Sequence, residues 1–195
     1  MKRRKNQMRM MVLVLFSVLI SSVTIQAQNY QATASNSTIN VDGTSNIHDW
    51  DLKAEKFTVK AIIEDSADLP AIKSLSLDLE AESLKSGKSG MDKNTYKALK
   101  TNRNKSIKFT YTKTNSLNKT ANNTYSVVVQ GMLEIAGTKK STNLSFTLVK
   151  ENNGYTIKGS KDIHMPEYNV EPPTAMLGTI KTGEDVTINY SLNLK

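Results

Sequence analysis

The sequence contains no cysteine and only two histidines among its 195 residues. Without cysteine the chain can form no disulfide, holds no thiol nucleophile and offers no sulfur for a lipid anchor. Its stability must therefore come from a hydrophobic core. The histidines, His48 and His164, are the only soft metal ligands, whereas a zinc site needs three or four convergent groups. We therefore predict no metal site, and our preferred interpretation places both histidines in turns at strand ends.

Catalytic signatures are equally scarce. The sequence contains no G-x-S-x-G nucleophile motif, because Ser89 lies in the unrelated tetrapeptide G-K-S-G. Scattered serine, histidine and aspartate residues do not define a catalytic triad without a spacing that relates them. We predict that the protein is not an enzyme and that it has neither catalytic residues nor a cofactor.

Long apolar runs are absent except near the start, where residues 10–20 read MMVLVLFSVLI. Basic residues precede this run, and a polar stretch that ends at Ala27 follows it. A basic start, a short apolar segment and a small residue at the cleavage point are typical of a secretory signal peptide, and the run is too short to span a bilayer comfortably. We predict a signal peptide over 1–27, cleavage between Ala27 and Gln28, and a periplasmic product. A secreted product and an uncleaved membrane anchor are the alternatives.

Export changes the charge balance. The full chain carries +8, but residues 28–195 hold 21 basic and 18 acidic residues, which leaves +3. Residues 85–108 alone carry +7, with eight basic side chains and the single acid Asp92, so the rest of the exported chain carries −4. This balance is not that of a general polyanion binder, and we expect no nucleic-acid partner.

The same basic window contains the one segment with helical spacing. The apolar side of a helix that starts near Asp92 holds Met91, Thr95, Ala98 and Leu99, with Tyr96 at its edge. The opposite side holds Lys93, Lys97 and Lys100. Asp92 is the expected N-cap, and the preceding SGKSG supplies a turn. We predict a short helical lid at this point.

The chain after residue 36 otherwise alternates between apolar and polar residues, as strands with one buried face do. We predict about eight strands, centred on 37–41, 48–63, 75–81, 107–111, 125–135, 144–148, 155–157 and 186–194. The alternation changes phase near Glu55, which predicts a bulge or a corner. Residues 28–36 are expected to form a flexible leader, and 165–183 an ordered loop. Antiparallel strands in this number close into a barrel or pack as a sandwich.

Four segments in this order resemble the YceI-like domain family of exported bacterial proteins, in its Bacteroidetes form. They are STINVDGTSNIHDW at 37–50, LDLEAESLKSGKSGMDKNTYKALKTNRNKSIKFTYT at 77–112, VVVQGMLEIAGTKKSTNLSFTL at 127–148 and IHMPEYNVEPPTAMLGTIKTGEDVTINYSL at 163–192. The resemblance spans 37–195 and implies a mainly β fold, a lipocalin-like antiparallel barrel. It also implies that the barrel holds a long isoprenoid chain, such as a quinone or a polyprenyl lipid. The helical segment lacks the histidines and several acidic residues of such relatives, which leaves the head group of the ligand open.

A long hydrocarbon chain needs a narrow, dry tunnel, where each Å² of buried apolar surface contributes about 25 cal/mol. The apolar residues expected to line it are Trp50, Leu52, Val59, Leu77, Leu79, Phe109, Tyr111, Val127, Val129, Phe146 and Leu148, with Met91, Tyr96 and Leu99 from the lid. The alternative is that these side chains simply fill a core. On the other face of the lid, the lysines are expected to contact the ligand head group or an anionic membrane surface: Lys93, Lys97 and Lys100. A solvated basic face is the alternative there.

We therefore predict a periplasmic protein that binds a long-chain isoprenoid or similar lipid for sequestration or transport, as a monomer or as an oligomer. The alternative is an exported stress-associated or interaction barrel with a packed interior and no lipid ligand. A continuous tunnel favours the first interpretation, and a filled interior favours the second.

Overall fold

The computed structural model describes residues 27–65 and 69–195. The predicted signal peptide lies outside the described residues except for Ala27. The described part contains one α-helix, α1 (Ser89–Ala98), and no helix in it is long and apolar enough to cross a membrane. Its strands are β1 (Ala27–Thr33), β2 (Thr38–Ser45), β3 (Trp50–Ala54), β4 (Phe57–Glu64), β5 (Ala71–Glu80), β6 (Leu84–Lys85), β7 (Ser106–Ala121), β8 (Thr124–Ile135), β9 (Thr138–Glu151), β10 (Gly154–His164), β11 (Thr174–Ala175) and β12 (Ile180–Leu194).

The strands form an antiparallel sheet that closes on itself. Hydrogen-bonded neighbours follow the order β1-β4-β5-β7-β8-β9-β10-β12-β2-β3-β6. The pairs β1 and β2, β3 and β4, and β5 and β6 are each consecutive along the chain, so each pair acts as one long kinked strand. At the seam β12 pairs with β2, and Lys195 exchanges two backbone hydrogen bonds of 2.9 and 3.0 Å with Gln31 of β1. The predicted antiparallel barrel is confirmed. It contains twelve strands where about eight were expected, because three of its eight long strands are each divided by a kink and β11 is added.

The kink between β3 and β4 lies where the alternation of side chains changes phase. Buried residues occupy even positions in β3 and odd positions in β4, and the change falls at Glu55 and Lys56. Backbone hydrogen bonds continue across the kink, from Glu55 N to the carbonyl oxygen of Ser83 (3.0 Å) and from Glu80 N to that of Lys56 (3.1 Å). The predicted corner is therefore present, and it lets both halves of a curved strand keep their apolar side chains inside the barrel.

The flexible leader expected at 28–36 is wrong for most of its length, because residues 27–33 form β1 and pair with β4 along all of it. Ala32 is fully buried, and the Tyr30 ring packs edge-on against Tyr155 with the ring centroids 5.3 Å apart. Only these two side chains of β1 join or contact the core, so the segment carries too few apolar residues to signal a strand. Its stability comes instead from pairing, because β1 satisfies the backbone groups that the edge of β4 would otherwise expose.

The end of the barrel opposite α1 is solidly packed. Its fully buried side chains come from β4, β8, β9, β10 and β12, and the largest are Ile63, Val127, Val129, Leu148, Tyr155, Ile157 and Leu194. Beside them the Tyr155 hydroxyl donates a hydrogen bond to Asp65, whose carboxylate also lies 3.0 Å from Lys150 Nζ. This polar cluster covers the closed end of the core.

Candidate functional site

A cavity of about 1070 Å³ occupies the α1 end of the barrel. Strands β2, β3 and β12 form one wall, while α1 and the loop between β10 and β12 cover it from either side. Its apolar lining includes Val41, Trp50, Leu52, Leu84, Met91, Ala98, Leu99, Ile107, Ile135, Ile163, Met165, Val170, Val186 and Ile188. The barrel is therefore filled at one end and hollow at the other.

Trp50 has a defined position in this wall. Its indole ring lies over Gly43 of the neighbouring strand β2, where any Cβ atom would overlap the ring. The indole Nε1 donates a hydrogen bond of 2.8 Å to the carbonyl oxygen of Thr44. With its one polar group satisfied by the backbone, the ring offers apolar surface to the cavity.

Polar contacts, not deep burial, attach the start of α1 to the barrel. Asp92 Oδ1 accepts hydrogen bonds from Ser86 N (2.8 Å) and Ser86 Oγ (2.7 Å) in the preceding loop. Partial burial opposes ionisation of Asp92, but these hydrogen bonds outweigh it and hold the pKa of the carboxyl below its ordinary value. Asp92 is therefore not the predicted N-cap, because its side chain holds the loop. The helix begins earlier, at Ser89, with Lys88 as the N-cap.

Tyr96 fastens α1 to β6. Its hydroxyl donates toward the carbonyl oxygens of Glu82 (2.8 Å) and Leu84 (3.1 Å), and it accepts a hydrogen bond from Lys85 Nζ. That bond raises the pKa of the Lys85 ammonium group, which also lies over the Tyr96 ring. The structure thus gives Tyr96 an anchoring position outside the cavity lining, where sequence analysis predicted a ligand contact.

The three lysines predicted as one contact surface are separated. Lys93 lines the cavity, whereas Lys97 and Lys100 lie outside the cavity lining, beside Arg103 in a shallow depression. Lys100 has a left-handed backbone conformation (φ 54°) just beyond α1, and its Nζ donates a hydrogen bond of 2.8 Å to the carbonyl oxygen of Asn169. Lys100 therefore ties the end of the helix to the loop that covers the cavity.

The structure brings together only part of the predicted lining. The predicted residues that line the cavity are Trp50, Leu52, Met91 and Leu99. The others besides Tyr96 pack in or against the core, outside the cavity lining: Val59, Leu77, Leu79, Phe109, Tyr111, Val127, Val129, Phe146 and Leu148. Phe109 shows the reason, because its ring occupies the space over Gly131 that a Cβ atom would need. Alternation identifies which side chains point inward, but not the height at which they fill the barrel.

Cavity residues also lie in 165–183, where the sequence predicts only an ordered loop. Met165, Tyr168 and Val170 are buried in or next to the 3₁₀ turn after β10, and Met176 and Leu177 lie farther along at the mouth. Their apolar character is the signal that could have found them. Large apolar residues in a segment without alternation indicate a loop that covers an apolar space.

The charged side chains that line the cavity have one sign. The charged side chains that line it are Lys88 and Lys93, and none of the described lining residues is an aspartate or glutamate. His48 also lies at the mouth, where its Nδ1 is 2.7 Å from the carbonyl oxygen of Asp49. The site thus combines an apolar wall with a basic mouth.

The second histidine lies outside the cavity lining, at the end of β10. His164 Nδ1 is 2.8 Å from Asp185 Oδ1, and Nε2 is 3.6 Å from a Glu184 carboxylate oxygen. The hydrogen bond to Asp185 is the main cause that raises the pKa of this imidazole. Within residues 27–65 and 69–195, no group of three or more histidine, aspartate or glutamate side chains is placed to hold a metal ion.

Comparison with known proteins identifies one family over nearly the whole described chain. The family model described as the YceI-like domain matches residues 22–194. Among curated proteins, none matches the sequence significantly.

Solved structures share the fold at low sequence identity. Burkholderia cenocepacia BcnA is 15% identical, with 84% of this chain and 99% of that chain covered and a TM-score of 0.63. A domain from Saccharophagus degradans, described as polyisoprenoid binding and implicated in plant cell wall breakdown, is 11% identical, with 87% and 99% covered and a TM-score of 0.66. At these identities the similarity establishes the barrel fold.

Proposed function

The chain belongs to the YceI-like domain family, and from this membership and the cavity we propose that it binds one long-chain isoprenoid or similarly slender lipid. The tail lies in the cavity at the α1 end, and the head group lies at the mouth. The observation that carries the proposal is an apolar cavity of about 1070 Å³ in a barrel whose other end is packed. Pockets that hold small-molecule ligands typically enclose about 300–1,000 Å³, so the space suffices for such a ligand.

Burial of the hydrocarbon tail supplies the affinity. Each Å² of apolar surface removed from water contributes about 25 cal/mol, and wall residues such as Leu52, Leu99 and Ile163 are themselves shielded from solvent. The packed layer toward the closed end, which includes Val127 and Leu148, sets the depth that the tail reaches. The description of the Saccharophagus degradans domain as polyisoprenoid binding supports the class of ligand.

The mouth supplies the polar contacts for a head group. Lys88 and Lys93 line it together with Asn94 and Thr95 of α1 and with Ser45 of β2. Ammonium, amide and hydroxyl donors at this position suit a head group rich in acceptor oxygens, such as a phosphate or a quinone. Of the predicted lysines, Lys93 is the one whose position supports head-group contact.

The role that we propose is sequestration or transport of the lipid in the periplasm, with transient contact to an anionic membrane surface. The signal-like segment at the start of the chain supports export. An apolar site inside a barrel suits the carriage of a ligand that water does not dissolve.

We propose binding without catalysis. Ser45 and His48 both line the mouth, but the Ser45 hydroxyl donates to the backbone carbonyl oxygen of His48 (2.7 Å), not to its imidazole. This pair therefore lacks the hydrogen bond from nucleophile to base that an activated serine requires. The fully packed interaction barrel, the other interpretation of the sequence, has no comparable observation in its favour.

Native mass spectrometry of the exported protein, followed by lipid extraction, tests the proposal. We expect one lipid per chain, and we expect delipidated protein to take up a polyprenyl phosphate or a long-chain quinone in a titration. Wild-type protein that carries no lipid and takes up neither probe would refute the proposal.

A filling substitution locates the site within the barrel. Ile188→Trp places an indole among the lining residues and should weaken uptake by at least about tenfold, because the tail and the ring compete for the same space. Met132→Trp is the matched control, since Met132 is exposed on β8 outside the cavity lining. Equal affinity in both variants would place the ligand elsewhere.

A further inference from the structure

Exposed apolar side chains are concentrated at the mouth of the cavity. Among the described residues, five large apolar side chains are exposed, and three of them line the mouth: Ile47 (57% exposed), Met176 (73%) and Leu177 (fully exposed). We call these three residues the apolar rim. Scattered exposed apolar residues are common on proteins, but a cluster that borders an apolar cavity indicates an interaction surface.

Two of the three residues of the apolar rim have a strained backbone as well. Met176 and Leu177 have φ angles of 50° and 55°, and Gly178 follows with 87°. The left-handed region is unfavourable for residues with a Cβ atom, and glycine or asparagine adopts it more readily. Met176 and Leu177 therefore combine exposed apolar side chains with an unfavourable backbone conformation. Burial of these side chains offsets neither the free energy of their exposure to water nor that of the backbone strain. Such coincidences are found where function requires the conformation.

The apolar rim is held together across the mouth by Asn46. Its side-chain amide donates a hydrogen bond to the carbonyl oxygen of Thr179 (2.9 Å), and its Oδ1 accepts one from Lys181 N (2.9 Å). Its own backbone N donates to the carbonyl oxygen of Lys181 (3.1 Å). Asn46 thus joins the turn that carries Ile47 to the segment that carries Met176 and Leu177, and both present their side chains on one surface.

The charged groups of the mouth complement an anionic surface. Lys88 and Lys93 line the cavity from the α1 side. Asp49 and Glu171 are the acidic residues nearest to the apolar rim along the chain, and neither is among the described residues that line the cavity. Apolar side chains beside lysines are the combination that binds at the boundary between head groups and acyl chains of anionic bilayers.

We propose that the apolar rim inserts into the interfacial layer of an anionic phospholipid bilayer while Lys88 and Lys93 contact lipid phosphates. The mouth of the cavity then opens onto the membrane, and a lipid tail passes between bilayer and barrel without crossing water. The docked state specifies how the membrane contact in the proposed function is made, and its use for loading rests on the proposed lipid binding.

Co-sedimentation with vesicles tests docking. One set of vesicles contains equal parts of phosphatidylglycerol and phosphatidylcholine, and a second contains phosphatidylcholine alone. The variant Met176→Asn/Leu177→Asn removes the apolar surface but keeps residues that accept the left-handed conformation. We expect its partition coefficient to fall by at least about tenfold on both vesicles. Met132→Gln, which removes an apolar side chain that is 40% exposed and lies outside the cavity lining, should leave binding unchanged.

Neutralising the basic mouth separates the two contributions. Lys88→Gln/Lys93→Gln should weaken binding to the anionic vesicles at low salt and leave binding to phosphatidylcholine vesicles unchanged, because attraction of lysine to anionic lipid is screened by salt. If wild-type protein fails to sediment with anionic vesicles, or if the rim variant sediments like wild type, docking through the apolar rim is wrong.

Lipid delivered in detergent micelles distinguishes this failure from failure of the proposed function. Met176 and Leu177 also line the cavity, so the uptake rate of each source is expressed relative to wild type. The relative rate of the rim variant should fall further with vesicles than with micelles as the source of a polyprenyl phosphate. If neither wild type nor the rim variant takes up lipid from either source, lipid binding is refuted. The sedimentation result would still decide whether the apolar rim docks on a bilayer. Equal uptake rates from vesicles for wild type and the rim variant would exclude a role of docking in loading.

Discussion

A pair of matched substitutions tests whether the barrel is hollow at one end and packed at the other. Val127→Phe and Val41→Phe make the same chemical change at two inward-facing strand positions. Val127 on β8 has no exposed surface and lies in the packed layer, whereas Val41 on β2 lines the cavity. The same added ring should therefore overpack the layer around Val127 but fit into the cavity at Val41.

At Val127 the ring has no space to enter. Insertion of extra carbon atoms into a well-packed core typically costs about 1–3 kcal/mol. For a chain of this size each kcal/mol lowers the melting temperature by roughly 2–4 °C, so the expected decrease is roughly 2–12 °C. At Val41 the ring enters a space of about 1070 Å³ and buries apolar surface there. The expected change in the free energy of unfolding is within about 1 kcal/mol of zero, in either direction.

The measurement is thermal and urea unfolding of delipidated wild type and both variants, because a bound ligand would stabilise the protein by mass action. A lipid titration of the folded Val41→Phe variant is the second readout, and it should show weaker uptake. If both substitutions destabilise the protein equally, the α1 end is packed in solution and the cavity is not available. If Val127→Phe leaves the melting temperature unchanged, the packed layer is assigned wrongly.

Three further predictions concern the closed end, the strand end at β10 and export. Tyr155→Phe should destabilise the protein by about 1–2 kcal/mol near neutral pH, because Asp65 loses a hydrogen bond to its carboxylate. Burial opposes ionisation of Asp65, but its hydrogen bonds hold the pKa of its carboxyl low. The stability that the carboxylate gains from Tyr155 is therefore present above about pH 4 and is lost as the pH falls through the folded-state pKa. If Tyr155→Phe lowers the free energy of unfolding equally at every pH, the assignment is wrong. Asp185→Asn should lower the pKa of His164 in an NMR titration, since the hydrogen bond to Asp185 raises it. The associated stabilisation is present below about pH 6.5 and is lost as the pH rises through the folded-state pKa, so wild type and variant should melt alike at high pH. Intact-mass measurement of exported protein should show cleavage after Ala27, and a membrane-bound product that retains the apolar run would contradict this.

The barrel was predictable because its evidence is local. Alternation of apolar and polar residues specifies which face of each strand is buried, and the change of phase at Glu55 specifies a corner. The helical spacing around Met91 and Leu99 likewise predicts α1 and the side that faces the cavity. β1 was not predictable in this way, because only Tyr30 and Ala32 contact the core and pairing with β4 holds the rest.

The candidate site was predictable only in part, because its members depend on neighbours that are remote in sequence. Tyr96 lies at the edge of the apolar side of α1, yet its hydroxyl is held by carbonyl groups of Glu82 and Leu84. Lys100 continues the basic side of the helix in sequence, yet the chain turns left-handed there and its ammonium group bonds to Asn169. Neither partner is indicated by helical spacing.

The sequence by itself determined that the chain is an antiparallel barrel with one helix, since strand and helix periods are properties of consecutive residues. Only the tertiary structure decided where the barrel is hollow. Val127 and Val41 have the same side chain and the same inward orientation, but one meets a packed layer and the other meets empty space. Whether a layer is filled depends on the summed volumes of side chains that arrive at the same height from several strands, and on which loop covers the open end. The side chains that contribute these volumes come from residues that are far apart in the chain.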